Sequence, residues 1–225
     1  MLPLIIAGAA ATGLVTAAVT YYRKRGSNQS QPAESATIPL GNFAVWGQPD
    51  AGKTTFISCL RGNRPSGAKE QTGSIKRHDK FKITSSDGKV YEVPGLCDIP
   101  GGSDRLESWL AAVESHKNVF YIVSLAKLDD SAYLRRVRNE IEHTVNRLND
   151  KTQGKRIHVI GSHLDSSKWK DFEPARVREM ILQDDAIREI REHFGNGAGY
   201  FYASNLLDQG SAEQLIEDII NDCRA

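Results

Sequence analysis

Residues 47–55 read Gly-Gln-Pro-Asp-Ala-Gly-Lys-Thr-Thr and stand between an apolar run, Phe43-Ala44-Val45-Trp46, and a helix-like one, Phe56-Ile57-Ser58-Cys59-Leu60. The order Gly-x-x-x-x-Gly-Lys-Thr, entered from a strand and left by a helix, constrains the local fold severely. Gly47 and Gly52 let the chain turn so that successive N–H groups point inward, and such a nest of amides attracts phosphate oxygens. The helix behind the loop adds its unpaired N-terminal amides and the positive end of its dipole. Lys53 then supplies a cation for the outer phosphates of a nucleotide, and the Thr54 hydroxyl is placed to ligate Mg²⁺. Gln48, Pro49, Asp50, Ala51 and Thr55 complete the wall of the loop.

From residue 39 onward, strand-like and helix-like stretches alternate, which predicts an α/β doubly wound, mostly parallel six-stranded sheet. The expected strands are Asn42–Trp46, Lys80–Thr84, Lys89–Leu96, Asn118–Leu125, Arg156–Gly161 and Gly199–Ala203. Asp87-Gly88 marks a hairpin between the second and third. The expected helices are Lys53–Gly62, Arg105–His116, Ser131–Asn149, Glu173–Phe194 and Ser211–Cys223, the last with Leu215, Ile216, Ile219 and Ile220 at helical spacing.

Four further stretches fall at the predicted strand ends or between them. Asp98-Ile99-Pro100-Gly101 offers a carboxylate that can hold Mg²⁺ through water and a glycine N–H for a γ-phosphate. Gln71-Thr72-Gly73-Ser74 lies in a polar loop, with Thr72 the best candidate to contact Mg²⁺ and the γ-phosphate; Ser66 and Ser74 are its alternatives. Ser162-His163-Leu164-Asp165 follows the fifth strand. Asp165 there can accept hydrogen bonds from the ring N–H and exocyclic amine of guanine, a donor pair adenine lacks, and His163 can stack on the purine face. After the last strand, the N–H of Ala203 or Ser204 can reach the guanine oxygen. Ligands of open α/β sheets bind at this edge.

In these motifs, residues 39–225 resemble a small GTPase of the Ras-like superfamily, with a phosphate loop similar to that of the Arf and signal recognition particle receptor β groups. The resemblance implies a GTP-binding domain that uses GTP or GDP with Mg²⁺, acts as a conformational switch for a protein partner and hydrolyses GTP to GDP and phosphate, with Lys53 and Thr72 serving catalysis. Ser162-His163-Leu164-Asp165 replaces the family's usual Asn-Lys-x-Asp, and Ala203-Ser204-Asn205 replaces Ser-Ala-Lys. After Asp98-x-x-Gly101, where many members carry a water-orienting glutamine, this chain has Gly102. Intrinsic hydrolysis is therefore expected to be slow. The alternatives are a permanently GTP-bound scaffold or receptor subunit, and an ATPase, which Asp165 disfavours.

Residues 1–22 carry no charged side chain and are mostly apolar over about the twenty residues that span a bilayer. Tyr21 and Tyr22 precede Arg23-Lys24-Arg25, so positive charge follows the apolar run, opposite to a cleaved signal peptide. A single-pass anchor with the GTP-binding domain in the cytosol is expected; a buried helix is the plainer alternative. Residues 23–38 form a basic juxtamembrane stretch and a Gly-, Ser- and Pro-containing linker. With 29 Lys and Arg against 28 Asp and Glu, bulk charge suggests no nucleic-acid partner. The cysteines, Cys59, Cys97 and Cys223, are too scattered for a disulfide frame and read as buried apolar residues of a reducing compartment. Arg135-Arg136-Val137-Arg138 reads as a solvated face or a patch for anionic lipid, and Trp46, Trp109 and Trp169 as packing residues.

Overall fold

Alternation along the first long strand decides how the layers form. Phe43 and Val45 point to one face and Ala44 and Trp46 to the other, and all four are wholly buried, so the sheet must be covered on both sides. In the computed structural model, residues 37–63, 73–148, 155–172, 174–192 and 199–224 are described. They belong to a unit running from Ala36 to Ala225; the unit Met1–Ser35, with the expected anchor and most of the linker, lies outside the described residues. Among the described residues no helix is long and apolar enough to cross a membrane.

The strands are β1 (Ile38–Pro39), β2 (Phe43–Gly47), β3 (Lys76–His78), β4 (Phe81–Thr84), β5 (Val90–Val93), β6 (Leu96–Asp98), β7 (Asn118–Ser124), β8 (Arg156–Ser162) and β9 (Gly199–Ala203). The helices are α1 (Lys53–Leu60), α2 (Leu106–Ser115), α3 (Ser131–Leu148), α4 (Pro174–Gln183), α5 (Asp185–Glu192) and α6 (Gln209–Arg224). The main sheet has six strands in the order β3-β6-β2-β7-β8-β9. Its pairs are parallel except β3 with β6. The doubly wound, mostly parallel sheet is as expected, with a strand order that places β2 inside it.

Two corrections concern the hairpin. The predicted strand Lys89–Leu96 is broken at Pro94-Gly95, because proline has no N–H for a ladder. Its halves go to different sheets: β5 pairs antiparallel with β4 and parallel with β1, while β6 joins the main sheet. The broken ribbon thus feeds Leu96–Asp98 into the main sheet beside β2, with β3, read as loop from sequence, pairing on its other side. The Asp-Gly turn holds: Gly88 has φ 81°, its N–H reaches Ser85 O at 3.0 Å, and Asp87 accepts from Ser85 Oγ. A third correction is that the predicted helix Glu173–Phe194 is two helices, α4 and α5, meeting at Asp184, whose Oδ1 accepts the Ala186 N–H at 3.0 Å.

One layer of core joins α2, α3, α4 and α5 to the sheet through Trp46, Trp109, Tyr121, Val137, Ile141 and Ile181. The other joins α1 and α6 through Phe43, Phe56, Phe120, Leu215, Ile219 and Ile220. All three tryptophans are buried. The cysteines are free, Cys223 buried and Cys59 and Cys97 only half-buried. The basic run on α3 is not one continuous face: Val137 is wholly buried, and Arg138 pairs with Glu189 of α5.

Candidate functional site

The carboxyl ends of β2, β6, β8 and β9 lie along one edge of the sheet, and each delivers one of the sequence motifs. The β2 end turns into the loop 47–55 on unusual backbone: Asp50 has φ 59° and Gly52 φ 88°, both left-handed. Gly47 sits so close to β7 that a Cβ there would meet Ile122 O at 2.1 Å, so no other residue fits. Gly52 offers no side-chain cap to the N-terminus of α1, which leaves that helix end suited to an anion. Pro49 and Asp50 are exposed at the tip, Gln48 and Ala51 are buried, and Thr54 and Thr55 are half-buried on the first turn of α1.

Lys53 is folded back into the loop rather than extended. Its Nζ donates to Gly47 O at 3.0 Å and Gln48 O at 2.9 Å. Burial lowers its pKa, and Asp98, Glu140 and Asp50 pull it back up. Asp98, at the end of β6, is 2% exposed and its Oδ1 has no partner among the described residues. Burial raises its pKa, and Lys53, His78 and Lys76 counter that. An orphaned carboxylate oxygen beside a phosphate loop is the donor a hard cation needs, so Asp98 and the Thr54 hydroxyl fit Mg²⁺.

The glycine after Asp98 is pressed onto the loop. A Cβ at Gly101 would stand 2.6 Å from Gly47 O, 2.6 Å from Pro49 N and 2.8 Å from Gln48 C. Trp46 reinforces this seat: its indole N–H donates to Pro100 O at 3.2 Å, and its ring stacks on Trp109 at 5.1 Å. Gly102 has φ 147°, and a Cβ there would meet Asp104 Oδ1 at 2.6 Å. The absence of a glutamine at 102 is therefore matched by a backbone conformation that only glycine adopts readily.

At the end of β8, Ser162 does what sequence reading overlooked. Its Oγ donates to Ala51 O at 2.6 Å, which ties the base-side segment to the phosphate loop, and it lies 2.9 Å from His163 Nδ1. His163 takes a left-handed backbone, φ 55°, and Asp165 follows it, exposed, in a short 3-10 turn where its Oδ2 accepts from Ser166 Oγ. At the end of β9 the choice between two amides narrows. The Ser204 N–H is spent on Gly161 O at 2.9 Å, and its buried hydroxyl pairs with Ser211 Oγ at 3.0 Å, so it serves the start of α6. Thr72, and Ser66 with it, lies outside the described residues.

A second overlooked group is Glu140, from the middle of α3. It is 5% exposed; Gln48 Nε2 donates to its Oε1 at 2.5 Å and Tyr121 Oη to its Oε2 at 2.5 Å. Burial pushes this carboxyl up, while the two hydrogen bonds and the charges of Lys53 and Arg136 hold it down. Nothing in the spacing of residues 48, 121 and 140 announces this contact, since it joins three different elements.

The loop and its sheet edge make this a P-loop nucleotide-binding domain. Residues 42–161 match the family described as 50S ribosome-binding GTPase, and the chain belongs to that family. GTPase Obg of Trichodesmium erythraeum (strain IMS101) is 25% identical over 185 residues, covering 80% of this chain and 47% of the relative. The chain thus spans about half the length of that protein. The structure of the Arl6 (BBS3) small GTPase from Trypanosoma brucei with the bound nucleotide analogue GppNp matches with a TM-score of 0.56 at 14% identity, covering 84% of this chain and 98% of that one. The protein is a member of a GTPase family and has the fold of a small GTPase. The family match ends at Gly161, before the segment Ser162–Asp165.

Proposed function

We propose that the chain is a membrane-anchored guanine-nucleotide switch with slow intrinsic hydrolysis. The observation that carries this is the seat of Gly101 on the phosphate loop beside Asp98 Oδ1, which has no partner among the described residues. A loop for phosphate, a carboxylate for Mg²⁺ and a glycine hinge meet there, so the presence of a γ-phosphate is felt directly by residues 98–104. Thr54 and Asp98, with Thr72, would hold Mg²⁺, which when bound neutralises phosphate charge. Lys53 releases the two loop carbonyls to reach a phosphate, and Asp165, exposed at the lip, accepts from guanine. Gly102 has no side chain to orient water, which supports slow turnover. Ile75, 41% exposed just after Gly73-Ser74, supports docking of a protein partner on the switch side.

The nucleotide retained by the purified full chain tests this. GDP accumulating from loaded GTP at a slow single-turnover rate is expected, and no retained nucleotide after Lys53→Ala. A chain that stays loaded with GTP indefinitely indicates the alternative, a non-hydrolysing scaffold or receptor subunit, for which Gly102 is the supporting observation. Adenine nucleotide in the site, or none, overturns both.

A further inference from the structure

We infer that Glu140 is a positioning residue for nucleotide binding: through Gln48 it fixes the phosphate loop, so that helix α3 sets how tightly nucleotide is held. The inference rests on the GTP-binding reading above. Gln48 is the point where the loop is gripped from three sides. Its carbonyl accepts both Lys53 Nζ at 2.9 Å and Ala51 N–H at 3.2 Å. Gly101 packs against its backbone on the switch side, at a separation that excludes a Cβ. Its side-chain amide is held by Glu140, more than ninety residues along the chain, at 2.5 Å.

Among the described residues Glu140 makes no ion pair, and Lys53 and Arg136 act on it only through their charge. Its oxygens are satisfied by Gln48 and Tyr121, and a buried carboxylate with two neutral donors is worth keeping only if those donors need fixing. Tyr121 already sits in β7, which is locked by its ladders on both sides. The loop has no such ladder, so it is the partner that gains order. Releasing Gln48 lets its peptide turn, which moves the carbonyl that parks Lys53 and the amides that follow toward phosphate. Groups that orient metal ligands from behind typically change affinity by about 10–100-fold when removed, and Glu140 stands in a comparable supporting relation to the phosphate loop.

The rate of release of a fluorescent GDP analogue from the full chain, in magnesium buffer, is the test. Gln48→Ala and Glu140→Ala should each speed release by about tenfold or more. The double variant should be no faster than the faster single one, since both remove the same contact. Glu140→Gln keeps a carbonyl oxygen for Gln48 and should return most of the wild-type rate. Val137→Ala, one turn earlier on α3 and wholly buried, should lower thermal stability and leave release unchanged. Wild-type release from Gln48→Ala overturns the inference even if Glu140→Ala does not fold, and where the variants fold, additive effects in the double variant overturn it too. If wild-type protein binds no guanine nucleotide, the functional reading fails first and this one with it.

Discussion

At the scale of single residues, burial decides which groups carry charge. His158 is wholly buried between the rings of Phe120 and Tyr200, at 4.6 and 5.0 Å. Tyr202 Oη donates to Asp222 at 2.6 Å, so at 3.1 Å it accepts from His158 Nδ1–H, which leaves Nε2 as acceptor facing the Cys223 thiol. That neutral tautomer is satisfied on both sides, and burial lowers the imidazole from 6.5 to about 3. The unfolded chain takes up a proton below pH 6.5 that the folded one refuses, so stability is full above that pH and falls as pH drops from 6.5 toward 3. At pH 5 the loss is about 2 kcal/mol. His158→Phe keeps the stacking and should remove this slope, read from urea midpoints between pH 7.5 and 5. Gly102 is the second case. Gly102→Gln installs the glutamine that the resemblance to Ras-like GTPases leads one to expect there, but at φ 147° it should cost about 1–3 kcal/mol of stability. No gain in single-turnover hydrolysis is expected from it; a clear gain would show that the backbone there adapts.

At the scale of elements, each motif works because its strand ends where it does. Pro94-Gly95 splits the ribbon so that β6 can lie beside β2 and bring Asp98 level with Val45. The closing helix α6 covers the opposite face of the site from α3. Its Ile219 is wholly buried against α1's layer of core. Ile219→Ala should cost about 2–5 kcal/mol by denaturant unfolding. Nucleotide release, which α3 governs through Glu140, should change far less. A loss below about 1 kcal/mol would mean that α6 is docked loosely and contributes little to this core.

At the scale of the whole molecule, the anchor proposal makes a separable claim. The full chain should float with phospholipid vesicles, and a chain beginning at Ala36 should not; equal flotation of both would remove residues 1–22 from that role. The amino-acid sequence alone determined what is local: the loop 47–55, whose glycines and lysine have meaning within a few residues, the Asp87-Gly88 turn, and the period of the strands and helices that made an α/β sheet the answer. Helix-sized runs such as 173–194 were legible as helical but not as two helices, because the Asp184 cap acts on backbone rather than on hydrophobic period. Only the tertiary structure decided which distant groups meet. Ser162 on Ala51, Glu140 on Gln48, Trp46 on Pro100 and the loss of the Ser204 amide to Gly161 depend on strand order and register. Sequence spacing carries no trace of them, since a hydrogen bond between residues ninety apart is set by how the chain packs and not by what stands beside either partner.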